Sequence, residues 1–276
     1  MDVLGFIIPD LKASKIYAKE ITLVKYMLLV KKLTTNLFVE AECCEGEEGD
    51  ISYIKKEKIT KLQHGGLLFP FNSIPQNHPD NFKTKYYKPY NYRLTEHKAS
   101  TFGVLRSSTR IHAARDLYSD VGESIYAIAD GVVTDVHKFY RDTWRIEIEH
   151  EYEVKISKTK GHKMIVRYGE VKKGSAILVK IGDKVSRGQK IGEVGLLVPY
   201  VHQPAGEKRG MLHIEFYTGE ESGNLSDTSV LYSKMKYATS SKYNGIASFQ
   251  RRIDLFDGLD LLDKMLETSQ KENRIE

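Results

Sequence analysis

Cysteine is almost missing from this chain. Among 276 residues there are two, Cys43 and Cys44, adjacent in the acidic stretch AECCEGEEGD. Neighbouring cysteines rarely close a disulfide without strain, and no CxxC or Cys/His spacing surrounds them. A disulfide scaffold and a cysteine-built metal site are therefore excluded, and the pair leaves the redox compartment open. Long apolar runs are lacking too: ITLVKYMLLV at 21–30 carries Lys25 and is too short to span a bilayer. The opening MDVLGFIIPDLKASK has Asp2 where a secretory signal needs positive charge, and Pro9 and Asp10 break its apolar stretch. The expectation is a chain made in the cytoplasm, with no transmembrane segment and no export by the ordinary route. No single basic block stands out either. The net charge of +5 and pI near 8.9 come from lysines spread along the chain. That favours acidic surfaces weakly and selects none of wall polymer, nucleic acid or membrane.

What is present is ordinary globular composition, 41% hydrophobic and 29% charged, on a chain long enough to bury a sizeable core. Residues 1–66 mix an apolar stretch, an acidic patch and a basic patch (KKEKITKLQ) without a motif, and read as an N-terminal extension of unknown role. Gly65 and Gly66 mark its end. Residues 67–101, from LLFPFNSIP to KTKYYKPYNYRL, are rich in proline, asparagine and tyrosine and read as an extended linker packed on a neighbour. Lys83, Lys85, Tyr86, Tyr87, Lys88, Tyr90, Tyr92 and Arg93 interleave in a way that suits base stacking. With no nucleic-acid module following, the tyrosines are assigned to packing and no nucleic-acid partner is expected. From 102 to 220 the texture changes to short β-type runs (SIYAIADGVVTDV, WRIEIEH, KMIVRYGEV, MLHIEFY) between Gly, Asp and Lys turns. This is the pattern of a mainly β, antiparallel sheet or barrel-like domain. Residues 221–276 form a C-terminal extension in which Asp257 as N-cap and Leu259, Leu262, Met265 and Leu266 at helical spacing predict one short helix.

The chemistry-bearing residues lie in the β-rich part. In GMLHIEFY, period-two alternation sends Leu212, Ile214 and Phe216 to the core and Met211, His213, Glu215 and Tyr217 to the other face. Upstream, RIHAARDLY holds His112 and Asp116 four apart, on one side of either a strand or a helix, with small Ala113 and Ala114 between them. Two imidazoles and a carboxylate make a three-ligand set that zinc accepts, with a fourth position left for water. Taken singly, each has an ordinary reading: a histidine on a strand is more often a packing residue. His150 ends a strand-like run, His162 falls in a turn and His202 lies in a loop before His213.

Together, the order RIHAARDLY, AIADGVV, RYGEV, VKIGDKVSRGQKIGEVG and MLHIEFY resembles the lysostaphin/LytM-type zinc metallopeptidases over about residues 102–219. The resemblance implies a LytM-type β domain that cleaves peptidoglycan peptides with one zinc ion per chain and a zinc-activated water. His112, Asp116 and His213 fall on the zinc ligands. Two positions depart from the family's pattern: Glu170 of RYGE and Met211 of MLH stand where histidines beside the site are usual. Glu170 is then the expected proton acceptor, with direct metal ligation as its alternative, and Tyr168 is expected on the same strand face, donating to the oxyanion. Glu215 is expected to orient a ligand histidine. Met211 cannot move protons, so one contact is either lost or supplied by His202 or Arg167, and Arg106 and Arg110 are read equally as holding substrate carboxylates or as solvated surface. The RYGE/MLH pairing also resembles peptidases delivered by contractile injection and type VI secretion machines. That implies an antibacterial effector acting in the periplasm or cell wall, with a secretion-machine component or an immunity protein as partner. Two other classes compete: a noncatalytic wall-binding or regulatory module, and a lipoyl-type carrier, which lacks here the exposed lysine turn it needs.

Overall fold

The computed structural model describes residues 66–81, 89–94, 100–107, 110–154, 162–196, 209–226 and 249–275, all within the unit Gly66–Glu276. The motif-free residues 1–65, Cys43, Cys44, His202 and the lysine/tyrosine cluster at 83–88 lie outside the described residues.

The strands are β1 (Arg115–Asp120), β2 (Ser124–Tyr126), β3 (Gly131–Lys138), β4 (Thr143–Val154), β5 (His162–Lys172), β6 (Lys184–Val185), β7 (Lys190–Glu193), β8 (Arg209–Tyr217) and β9 (Leu255–Phe256), followed by helix α1 (Leu259–Lys271). The large sheet runs β1-β8-β5-β4-β3-β6 with β9 added beside β8, and β2 and β7 form a separate pair. All pairings are antiparallel. His162, expected in a turn, is the first residue of β5.

Alternation builds the core. Ile146 and Ile148 of β4, Met164, Val166 and Tyr168 of β5, and Leu212, Ile214 and Phe216 of β8 point to one side, where Ile125, Ile191, Leu67, Phe69, Phe71 and the α1 residues Leu262 and Met265 cover them. Each aliphatic side chain removed from water there contributes about 1.5–3 kcal/mol. The opposite face is covered as well, so all nine residues of β8 are buried.

The stretch before β1 is bound more closely than a packed linker. Beyond its core residues, the Asn77 amide donates to the Asp116 carbonyl at 3.0 Å and its Oδ1 accepts from the Tyr118 amide at 3.0 Å. These bonds satisfy backbone groups of β1, which among the described strands pairs with β8. Tyr90 meets Tyr118 edge to face and Tyr92 is fully buried, so both pack on the domain.

The C-terminal helix starts one residue later than its sequence predicts. Gly258 is the N-cap, and a Cβ there would sit 2.1 Å from the Phe216 ring, which calls for glycine at this position. Asp257 still accepts the Leu259 amide at 3.2 Å, but its carboxylate grips Arg115 at 2.9 and 2.6 Å.

Candidate metal centre

The register of three strands creates the site. On the face away from the core, Gly169 of β5 lies opposite His213 of β8, which lies opposite Asp116 of β1. One step along, Asp135, Glu147, Arg167 and Glu215 form a second row across β3, β4, β5 and β8. His112 enters from the segment before β1, its amide bonded to the Val104 carbonyl at 2.8 Å.

His112, Asp116 and His213, all buried, converge into a triangle whose atoms could hold a metal ion. His112 Nε2 is 3.1 Å from Asp116 Oδ1, His213 Nδ1 is 3.1 Å from the same oxygen, and the two nitrogens are 3.3 Å apart. Metal bonds of about 2.0 Å at tetrahedral angles place adjacent ligand atoms about 3.3 Å apart, so the triangle is of the right size for zinc.

The hydrogen bonds around the triangle fix which atoms face it. His112 Nδ1 lies 2.8 Å from the Thr101 carbonyl, which can only accept, so the proton sits on Nδ1 and the Nε2 lone pair points at Asp116. Two acceptors 3.1 Å apart call for a cation between them. Burial lowers His112 to about 4 against the pull of Asp116, which keeps the ring neutral and able to ligate. Burial alone would raise Asp116, yet His112 and His213 hold it well below the usual carboxylate range. Its second oxygen accepts from Arg106 at 2.9 Å. Arg106, expected to meet substrate, is thus a partner of Asp116. His213 Nε2 donates to Glu215 at 2.8 Å. Although burial opposes it, Asp116 and Glu215 raise the His213 pKa, and the negative field that favours a proton on Nδ1 also favours a metal there.

Glu215, fully buried, is the hub behind His213. It accepts from Arg167 at 3.0 Å, from Arg251 Nε at 2.8 and 2.9 Å, and from the Tyr217 hydroxyl. Burial would raise it, but the Arg167 and Arg251 guanidiniums keep it well below its ordinary value and ionised. Arg167, expected as a possible substrate contact, is fully buried and committed to Glu147, Glu215 and Ser226.

Glu170 reaches this face through an irregularity. Between Trp144/Val171 and Ile146/Tyr168 the register advances two residues on β4 and three on β5, a β-bulge, with Glu170 at φ 60°. Strict alternation from Tyr168 would send Glu170 into the core. Instead it is buried with His213, Asp116, Arg106 and Arg141 as its electrostatic neighbours. Burial pushes its carboxyl up to about 7, with His213 pulling the other way and Asp116 adding to the rise. Gly169 beside it is obligatory, since a Cβ would lie 2.8 Å from Phe139, whose ring packs on His213 at 5.2 Å.

The expectation that Tyr168 shares the face of Glu170 is corrected by the same bulge. Tyr168 is fully buried in the core, its hydroxyl accepting from the Ile128 amide at 3.2 Å and donating to His150 Nε2 at 3.0 Å. Burial lifts it well above the ordinary tyrosine range, so it is a neutral structural group. His150, lowered to about 4 by burial, bonds the Ala129 carbonyl and belongs to the core as well. Tyr168→Phe is therefore expected to cost about 1–3 kcal/mol in urea unfolding while leaving turnover unchanged, because it orphans buried groups remote from the triangle.

Met211 is 5% exposed, opposite Tyr118 in the register, and brings no proton-carrying group. Arg110 is exposed, its carbonyl accepting from the Arg106 and Ser107 amides. The partners that sequence reasoning missed are Thr101, which acts through a carbonyl and leaves no signal, Phe139 on a hairpin, and Arg251, 36 residues beyond Glu215. A cleft of about 870 Å³, lined by Asp135, Lys138, Arg145, Glu149, Ile165 and Asn224 among others, lies over β3, β4 and β5. Ile165 alternates with Arg167 and Gly169, so the cleft shares the face of His213.

Residues 110–225 match the model of Peptidase family M23. No curated protein matches the chain. Solved structures similar to it include a zinc-containing peptidase from Vibrio cholerae, with 28% identity over 38% of this chain and 26% of that one and a TM-score of 0.27. The catalytic domain of the antimicrobial peptidase lysostaphin from Staphylococcus simulans shows 20% identity over 44% of this chain and 79% of that one, with a TM-score of 0.32. The catalytic domain of a prophage-encoded M23 protein from Enterococcus faecalis shows 23% identity over 46% and 83%, with a TM-score of 0.30. This chain thus spans about a quarter of the Vibrio protein's length, 26%. The segment that carries His112, Asp116 and His213 is thus the part of the chain that is similar to Peptidase family M23.

Proposed function

We propose that the chain is a zinc-dependent peptidoglycan hydrolase, an endopeptidase or amidase, with His112, Asp116 and His213 as metal ligands and Glu170 as the proton-transferring group. The observation that carries this reading is the triangle of three buried acceptor atoms with edges of 3.1, 3.1 and 3.3 Å. Zinc held there would supply Lewis acidity, bringing the pKa of a water down to about 7 and polarising a carbonyl.

The chain's own residues do the rest. Thr101 and Glu215 fix the two rings by their second nitrogens, and Arg106 holds the free oxygen of Asp116. Glu170 takes a proton from the attacking water at its carboxylate and returns it to the leaving amine. A group near 7 suits both directions at neutral pH. Phe139 packs its ring on His213, and the cleft farther along the same sheet face offers space for a peptide. Delivery as an antibacterial effector that acts in the periplasm or wall is part of the same proposal and rests on the RYGE/MLH pairing.

The test is digestion of purified peptidoglycan by the zinc-loaded chain, with the fragments weighed by mass spectrometry. Fragments carrying one new amine and one new carboxyl are expected. A chain that takes up zinc and binds the wall but releases nothing would make the domain a noncatalytic binder.

A further inference from the structure

The matched domain ends at residue 225, yet the segment 249–257 touches the group that holds His213 and residues adjacent in sequence to Thr101 and Asp116. Arg251 clamps Glu215 through Nε at 2.8 and 2.9 Å and through its terminal nitrogen at 2.8 Å, and Glu215 in turn holds the ring of His213 at 2.8 Å. Phe249, 1% exposed, stacks on Phe102 with ring centres 4.9 Å apart. Phe102 follows Thr101, whose carbonyl fixes His112. Asp257 makes a two-pronged pair with Arg115 at 2.9 and 2.6 Å, next to Asp116 in β1. Ile111, Ala113, Tyr217, Leu225, Phe249 and Leu255 join these contacts in a second apolar cluster, apart from the main core.

We infer that the C-terminal segment is a working part of the metal centre, with Arg251 a positioning residue that sets metal affinity through Glu215 and His213. This rests on the metal reading above. The physical reason is the planar fork of the guanidinium. It meets both oxygens of Glu215 and so fixes the carboxylate's rotation, which Arg167, bonded to one oxygen only, does not do. Without the fork the carboxylate keeps Arg167 and the Tyr217 hydroxyl on Oε2 but loses its charged partner on Oε1, the oxygen that accepts from His213 and aims Nδ1 at the triangle.

The test uses the full chain with Arg251→Met and Arg251→Lys. Zinc affinity by competition with a chelating dye is expected to fall about 10- to 100-fold for methionine, and less for lysine, which restores charge but not the fork. The visible absorption of the cobalt-substituted protein should shift in both. If the methionine variant fails to fold, the lysine variant decides alone. Wild-type affinity and an unchanged cobalt spectrum in a folded variant would reduce Arg251 to a structural brace and overturn the inference. If the wild-type chain takes up no zinc, it is the metal reading that fails. The inference is then decided by the His213 Nε2 proton in NMR, expected to exchange slowly in wild type and fast in both variants; slow exchange in the variants overturns it.

Discussion

His213→Ala is expected to abolish stoichiometric zinc binding and to lower peptidoglycan cleavage by about 10⁴-fold, which corresponds to losing about 5 kcal/mol of charge stabilisation. The fold should survive, because Glu215 keeps Arg167, Arg251 and Tyr217 as partners. Treating the wild type with a chelator should give the same loss, with one difference: returning zinc restores the wild type and leaves the variant inactive. Atomic absorption on dialysed protein and fragment release from peptidoglycan are the two readings. An alanine variant that kept its zinc would place the ion elsewhere.

The second large effect is expected at Glu170. Glu170→Gln should lower turnover by about 10²- to 10⁴-fold, the range for a positioned acid-base group, while zinc affinity stays within a few-fold of wild type. The metal-free variant should also be more stable than wild type above neutral pH. Glu170 is raised from 4.5 to about 7 by burial, so between those values the folded protein binds the extra proton. Stability therefore falls as pH rises through that window, and the penalty is complete above 7. Glutamine carries no such penalty. The metal-free variant should gain up to about 3 kcal/mol at pH 8 and nothing below about pH 4. Urea unfolding at the two pH values reads the sign. A variant that lost activity and zinc together would make Glu170 a ligand, and one that kept full turnover would remove it from the chemistry.

What the sequence disclosed followed from how regular the backbone is. β8 pairs with β1, β5 and β9 and is covered on both faces, so its alternation is undisturbed, and Leu212, Ile214 and Phe216 separate from His213 and Glu215 as period two predicts. Glu170 and Tyr168 were placed on one face by the same rule, and there it failed. A bulge is a single inserted residue with no composition of its own, and it turned Glu170 toward His213 and Asp116 while leaving Tyr168 in the core. Arg167 illustrates a different limit. Its charge looked available for substrate until the registers of β4 and β8 set Glu147 and Glu215 on either side of it. Arg251 could not be assigned from spacing, because its role depends on a contact across 36 residues that no local pattern encodes.

The central claim is a single cation held by three side chains with one position open. Anomalous diffraction at the zinc edge from crystals of the zinc-loaded chain tests it most directly. One ion is expected about 2.0–2.2 Å from His112 Nε2, Asp116 Oδ1 and His213 Nδ1, with solvent at the fourth position and Glu170 outside the coordination shell. An ion enclosed by four protein ligands, or no ion at the triangle, would contradict the account.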